Sequence, residues 1–188
     1  MARQPRKPPN RRSAPRLASA GDEPLPGQTG GSARPRVDDT VRSYERNNQW
    51  ADDAYANIRD SDDVSTIASN LRDAPRLDGS TGFSRDEIQA IKNHVFFEEH
   101  PLEGDDGGIV SSRFESNPDM AEAWLRLRSD NYQPADLTLL EHESAEHGYW
   151  QQNPGAVYWD AHAAANQAAN WENSIPEPTN EDYNAPWE

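Results

Sequence analysis

Apolar residues at helical spacing, in short segments separated by proline and glycine, most constrain the fold of this 188-residue chain. The spacing i, i+3, i+4, i+7 places side chains on one face of a helix, and it occurs at Val64, Ile67, Ala68 and Leu71. No stretch alternates apolar and polar residues convincingly, as a half-buried strand does. We therefore predict an all-α fold, a compact array of five or six short helices within residues 37–173.

Residues typical of helix ends divide this region further. Ser84 and Glu87 form a capping box, in which the serine oxygen and the glutamate side chain satisfy two free backbone amides. Ser61-Asp62-Asp63 is expected to cap the helix that starts at Val64. The acidic, glycine-rich residues 104–108 predict a flexible loop. Proline marks three more boundaries, at Asn117-Pro118, Gln133-Pro134 and Asn153-Pro154-Gly155.

Charge is divided unevenly along the chain and defines two tails. The net charge is +6 over residues 1–36 and −21 over residues 37–188, which together give the −15 of the whole chain. Residues 1–36 also hold seven of the fifteen prolines, so we predict a disordered basic arm there. This arm could contact nucleic acid or an anionic surface, whereas the acidic body repels phosphate. A second disordered, acidic tail is predicted over residues 174–188.

The cellular compartment is constrained only by features that the sequence lacks. The chain has no cysteine, which excludes disulfides and thiolate metal sites. No apolar run approaches the length of a transmembrane segment. Arg11-Arg12 is not followed by a hydrophobic segment, so no cleaved signal peptide is predicted. We expect a cytoplasmic protein, or one that is exported without a cleaved signal peptide.

The stretch Glu141–His147 and the later His162 predict a metal site. Residues four apart share a helical face, so His142 and Glu146 can bind the same ion, with Glu143 beside it as a base for the bound water. This order resembles the zinc-peptidase motif His-Glu-x-x-His with glutamate in place of the second histidine. Histidine and carboxylate ligands suit zinc, manganese or iron. His162 follows the predicted turn at a similar height on the neighbouring helix and is the expected third ligand.

His94 and His100 form a second candidate group. Either could be a further metal ligand or a proton donor in the same site. Together with Arg113 they could instead provide the acid, the base and the cation of a metal-independent nuclease. A buried histidine with a hydrogen-bonding partner is the structural alternative for each of them.

Several short stretches of the chain occur together in a known kind of module: Ile91-Lys92-Asn93-His94-Val95-Phe96 with Glu99-His100, Arg113-Phe114, Ala121-Glu122-Ala123-Trp124-Leu125-Arg126-Leu127, Leu139-Leu140-Glu141-His142-Glu143-Ser144-Ala145-Glu146, Ala161-His162-Ala163-Ala164-Ala165-Asn166 and Asn170-Trp171. Through them, residues 82–172 resemble a carboxy-terminal module of actinobacterial polymorphic toxins and related free-standing proteins. The resemblance implies a toxin-type effector, for which an immunity protein is the expected partner. It also implies that the module's recurring core includes the six candidate residues His94, His100, His142, Glu143, Glu146 and His162, and that His147 lies outside it.

Three functional hypotheses follow. The first is a metal-dependent, metallopeptidase-like hydrolase with His142, Glu146 and His162 as ligands and without an organic cofactor. The second is the metal-independent nuclease toxin that uses His94, His100 and Arg113. The third is a non-catalytic helical interaction module or phage-associated structural protein. All three require the same helices, so the arrangement of the side chains has to discriminate between them.

Overall fold

Six α-helices make up most of the part of the chain that the structure, a computed structural model, describes, which is residues 44–176. The arm predicted over residues 1–36 and most of the tail predicted over residues 174–188 lie outside the described residues. The helices are α1 (Tyr44–Asp60), α2 (Val64–Asn70), α3 (Arg85–Phe96), α4 (Pro118–Arg128), α5 (Pro134–Gln152) and α6 (Tyr158–Ala168), followed by a 3-10 helix at Glu172–Ser174. The predicted all-α architecture is confirmed, with one exception described below. None of the helices in residues 44–176 has the length and apolarity needed to cross a membrane.

A short β-hairpin departs from the predicted all-helical pattern. Strands β1 (His100–Glu103) and β2 (Ile109–Ser112) pair antiparallel, with His100 opposite Ser112 and Glu103 opposite Ile109. The glycine-rich residues 104–108, predicted as a flexible loop, form the turn, and Gly107 takes a positive φ of 76°. Each strand has only four residues, which is too short for the alternation of apolar and polar residues to be recognised in the sequence.

Proline and capping signals locate the helix starts correctly. Ser84 Oγ accepts the amide of Glu87 while the Glu87 carboxylate accepts the amide of Ser84, so the capping box before α3 is confirmed. Helices α4 and α5 begin at Pro118 and Pro134, as predicted. Helix α6 ends at Ala168 because the backbone becomes extended at Ala169.

The expected side-chain cap at Asp63 is wrong. The backbone carbonyl of Asp63 accepts the amide of Ile67, but its side chain makes no capping hydrogen bond. One carboxylate oxygen instead lies 2.6 Å from Lys92 Nζ and the other accepts the indole N–H of Trp124 at 3.0 Å. Asp63 and Lys92 are each only 3% exposed, and a charge buried to that degree needs an opposite charge beside it. Asp63 therefore links α2 to α3 and α4.

The hydrophobic core lies between α1, α2, α3, α4 and the first half of α5. Phe96 contacts the rings of Tyr55 and Trp124 edge to face, with centroids 4.8 and 5.1 Å apart. Met120, Trp124 and Leu127 of α4 are buried in this core. Trp171 is also fully buried, so Trp124 and Trp171 both serve packing, whereas Trp159 stays 44% exposed.

The buried residues of α5 are mostly apolar in its first half and polar in its second half. Its first half buries Leu137, Leu139 and Leu140 in the core, but its second half buries polar residues. Helix α6 packs against this second half after the turn at residues 153–155, and its small residues Ala161 and Ala165 are fully buried. The short side chains of α6 allow a close approach between the two helices, which brings His162 next to the acidic face of α5.

Candidate metal centre

Five buried polar side chains from three helices meet beside the hydrophobic core. They are His94 from α3, His142, Glu143 and Glu146 from α5, and His162 from α6. None is more than 5% exposed, and the three residues of α5 are completely buried. Buried polar groups are destabilising unless they have partners. The contacts among these five side chains therefore indicate whether they could bind a metal ion.

The carboxylate of Glu146 lies at the centre of the cluster. Its Oε2 is 3.2 Å from His162 Nδ1 and 3.7 Å from His142 Nε2. Its Oε1 is 3.3 Å from His94 Nε2. The rings of His142 and His162 have their centroids 5.0 Å apart, so the structure brings the three predicted metal ligands together across the turn between α5 and α6.

The orientation of His142 is fixed by a backbone carbonyl. Its Nδ1–H donates to the oxygen of Ala169 at 2.8 Å, so Nε2 is the ring nitrogen left to meet the other residues of the cluster. That Nε2 is buried without a hydrogen-bonding partner and faces the carboxylate of Glu146. A metal ion between this nitrogen and the carboxylate would give both groups a partner, as would a proton on Nε2. A carbonyl that holds the other ring nitrogen is also the usual arrangement around a histidine that binds a metal.

The spacing of the ligand atoms fits a metal ion. The candidate atoms of His142, Glu146 and His162 all lie within 4.8 Å of one another. A tetrahedral ion with bonds of about 2.1 Å has ligand atoms about 3.4 Å apart. The observed separations of 3.2 and 3.7 Å from Glu146 Oε2 bracket that value. These three side chains could therefore hold a metal ion with little movement.

Glu143 is the second buried carboxylate of the cluster. Its Oε2 lies 3.7 Å from His94 Nε2, and neither of its oxygens has a hydrogen-bonding partner. Burial, followed by repulsion from Glu146, raises the pKa of Glu143 well above its ordinary value. Burial also opposes the ionisation of Glu146, but the surrounding His142, His162 and His94 outweigh it and hold its pKa below the usual range. The two carboxylates are therefore electrostatically distinct although they lie one helical turn apart.

His100 supports the cluster from the β-hairpin. It is the first residue of β1, and its ring is stacked between those of Phe114 and Trp150, with centroid distances of 4.3 and 4.6 Å. Its Nε2–H donates to the backbone oxygen of His94 at 2.7 Å. Burial, aided by the nearby His94, lowers the pKa of His100 to about 4. The structure thus places His100 as a neutral donor that holds the end of α3.

The remaining candidates, Arg113 and His147, are more exposed than the five buried residues. The ring of His147 nevertheless lies 5.4 Å from that of His94, and His94, Glu98 and His147 form another group that could hold a metal ion. Arg113 is exposed, and no hydrogen bond or ion pair within residues 44–176 joins it to His94 or His100. The side chain of His147 is 24% exposed and its Nδ1 lies 3.9 Å from a Glu98 oxygen. The acid, base and cation of the nuclease hypothesis are therefore not assembled in this arrangement.

Sequence reasoning missed the aromatic residues and the carbonyl that position the ligands. Tyr158 stacks on His162 with centroids 5.1 Å apart, and its hydroxyl oxygen is 3.3 Å from His162 Nδ1. Its position four residues before His162 on α6 was a usable signal, because such residues share a helical face. The carbonyl of Ala169 carried no signal, since any residue supplies one.

The fold and the cluster together define a small helical protein with a buried group of histidines and glutamates that could hold a metal ion. Comparison with protein-family models, with curated proteins and with solved structures found no match.

Proposed function

We propose that the protein is a metal-dependent hydrolase of the toxin-effector type, with a divalent ion bound by His142, Glu146 and His162. The observation that carries the proposal is the buried Nε2 of His142, which has no hydrogen-bonding partner and faces a carboxylate oxygen 3.7 Å away. Its other ring nitrogen is already bonded to Ala169, so the ring cannot turn to find another partner without losing that bond. A metal ion shared by the two groups would give Nε2 a partner.

The donor set is compatible with hydrolysis. Two imidazoles and one carboxylate are the protein ligands of catalytic zinc sites that keep one position for water, and they also suit manganese and iron(II). Such an ion lowers the pKa of a bound water and polarises the bond to be cleaved. With one ion bound, Glu143, the other buried carboxylate of the cluster, is the proposed acceptor of the water proton. His94, on the other side of Glu146, is the proposed proton donor.

The effector assignment rests on the resemblance of residues 82–172 to the toxin module. It implies that expression of the active protein inhibits the growth of a bacterial host and that an immunity protein relieves the inhibition. The cluster does not indicate which substrate is hydrolysed, because none of its residues identifies a recognition pocket.

A structural metal site is the second candidate, and the burial of the cluster favours it. All five side chains are at most 5% exposed, whereas a catalytic ion needs a path for its substrate. An ion in such a position contributes its binding energy to folding. In this alternative the ion stabilises the packing of α5 on α6 and no bond is cleaved.

Metal content and hydrolysis measured on the same variants test the proposal. The full chain is purified without chelating resin and its zinc, manganese and iron are measured by elemental analysis. We expect at least one ion per chain in the wild type, fewer in His142→Ala, and an unchanged number in the control Gln151→Ala, at an exposed position of the same helix. If the wild-type protein takes up none of these metals after dialysis against each of them, the proposal is wrong.

Glu143→Gln separates catalysis from structure. A hydrolase should keep the ion at His142 but lose growth inhibition on induced expression, together with cleavage of labelled casein or nitrophenyl esters. A structural site should show the same growth and the same absence of cleavage in wild type and variant, with a metal-dependent melting temperature in both. Cleavage of RNA that survives EDTA would support the nuclease hypothesis instead.

A further inference from the structure

We propose that the cluster binds two metal ions, with Glu146 as a bridging carboxylate and with His94 and Glu143 as the additional ligands of the second ion. This inference rests on the proposed function, because the first ion is the one held by His142, Glu146 and His162. It assigns a second position on the opposite side of the Glu146 carboxylate.

The two oxygens of Glu146 face different groups. Oε2 lies near His162 Nδ1 and His142 Nε2, at 3.2 and 3.7 Å. Oε1 lies near His94 Nε2, at 3.3 Å. A carboxylate that gives one oxygen to each of two cations holds them close together, and paired catalytic ions are typically about 3.5–4 Å apart. The contacts of Glu146 are those expected of a bridging ligand.

The second position has a complete set of three ligands. The candidate atoms of His94, Glu143 and Glu146 lie within 4.8 Å of one another. His94 Nε2 is 3.3 Å from Glu146 Oε1 and 3.7 Å from Glu143 Oε2. These distances again bracket the separation of about 3.4 Å expected around a tetrahedral ion. The two groups therefore have nearly the same internal dimensions.

Unpartnered buried atoms point to the second ion independently of these distances. Both oxygens of Glu143 lack a hydrogen-bonding partner although the residue is completely buried. A buried carboxylate in this state is costly unless it is protonated or binds a cation. His94 already has Nε2 directed at the two carboxylates, and its backbone oxygen is held by His100. A cation between His94 and Glu143 satisfies the carboxylate and uses the existing orientation of the histidine.

The second ion changes the part that Glu143 plays. With one ion bound, Glu143 is available as the base. With two, it becomes a ligand, and a water shared by two cations is acidic enough to lose its proton to solvent without a protein base. The positive charge of the two ions exceeds the negative charge of Glu143 and Glu146, so the loaded centre favours an anionic bridging group such as hydroxide.

Titration of the metal-stripped full chain with Mn²⁺ and Zn²⁺ tests the inference. We expect two ions per chain by elemental analysis after gel filtration, and for Mn²⁺ an electron paramagnetic resonance spectrum of two coupled ions. Glu143→Gln, which keeps the size of the side chain, should bind one ion, with an uncoupled Mn²⁺ spectrum. Its affinity for the second ion should fall by more than the 10–100-fold that loss of an outer hydrogen-bonding partner causes.

Further variants distinguish failure of this inference from failure of the proposed function. Glu146→Gln should lose both ions, and Gln151→Ala, at an exposed position of the same helix, should keep both. Circular dichroism verifies that each variant is folded. If the wild type saturates at one ion and loses it in His142→Ala, the two-ion inference is wrong and the proposed function stands. If Glu143→Gln still binds two ions, the inference is also wrong. If the wild type binds none, both proposals fail.

Discussion

Replacement of the buried Asp63 should show whether its carboxylate caps a helix or forms a buried ion pair, because the two roles predict losses of stability of different size. If Asp63 capped α2 through its side chain, Asp63→Ala would cost about 1 kcal/mol, as loss of an N-cap usually does. The structure instead pairs it with Lys92 Nζ at 2.6 Å and with Trp124 Nε1 at 3.0 Å. Removing one member of a buried ion pair costs about 3–5 kcal/mol because the other charge stays buried without its partner.

The expected loss for Asp63→Ala is therefore about 4 kcal/mol in the free energy of unfolding. The variant also leaves the indole N–H of Trp124 without its acceptor, which adds to the loss. Lys92 keeps the carbonyl of Ser61 at 2.6 Å, which reduces the loss, so the value for the ion pair alone is the best approximation. A domain of this size has a stability of about 5–15 kcal/mol. Asp63→Ala should consequently lose a large share of it.

This loss is measured by urea denaturation at a constant concentration of chelator. Tryptophan fluorescence and circular dichroism report the unfolding. Asp62→Ala is the matched control, because Asp62 is the exposed neighbour, and it should stay within about 0.5 kcal/mol of the wild type. The double variant Asp63→Ala/Lys92→Met should be less destabilised than the sum of its parts, by at least about 1 kcal/mol. A loss below about 1.5 kcal/mol, the upper part of the capping range, or strict additivity in the double variant, would refute the argument.

Three further predictions concern a glycine, a cap and the ion. Gly82→Ala should be more destabilising than Gly79→Ala by at least about 1 kcal/mol in urea denaturation. Both glycines have positive φ, but only at Gly82 would a Cβ lie 2.5 Å from the backbone oxygen of Arg72. Equal losses would contradict this. Ser84→Ala should lower the free energy of unfolding by about 1 kcal/mol, the usual cost of a lost capping oxygen, and an unchanged value would show that the box contributes nothing. Zinc at 100 times its dissociation constant should raise the free energy of unfolding of the wild type by about 2.7 kcal/mol for each bound ion, and by less in His142→Ala, as measured by thermal melting. An equal rise in the variant would place the ion elsewhere.

Local signals in the sequence were sufficient where neighbouring residues decide the structure. The capping box at Ser84 and the prolines 118 and 134 located the starts of three helices, because a cap acts within a few residues of itself. The β-hairpin was missed for the complementary reason. Two strands of four residues are stabilised by pairing with each other and by burial of His100 and Leu102. A short window of sequence shows neither the pairing nor the burial.

The proximity of the candidate ligands was predictable, but the detailed arrangement of their side chains was not. The spacing of His142 and Glu146 on one helix, and the place of His162 after a turn, are properties of helices that sequence periodicity reveals. The division of Glu146 between two groups depends on the rotamers of side chains from α3 and α6. Asp63 illustrates the same limit, since its sequence neighbours suggested a cap while its partner Lys92 is 29 residues away.

The hydrogen bond from His142 to Ala169 has a consequence for the order of events in biosynthesis. A chain is made from its amino terminus, and the residues that lead into Ala169 and the buried Trp171 are among the last of the helical region to emerge. Until they dock, His142 lacks the carbonyl that selects its tautomer, and His162 is not yet beside Glu146. The core around Trp124 can form earlier, from helices made before α6. Binding of the ion proposed at His142, Glu146 and His162 would then be a late step that stabilises a nearly complete fold. A nascent chain that is arrested before α6 should be unable to take up that ion.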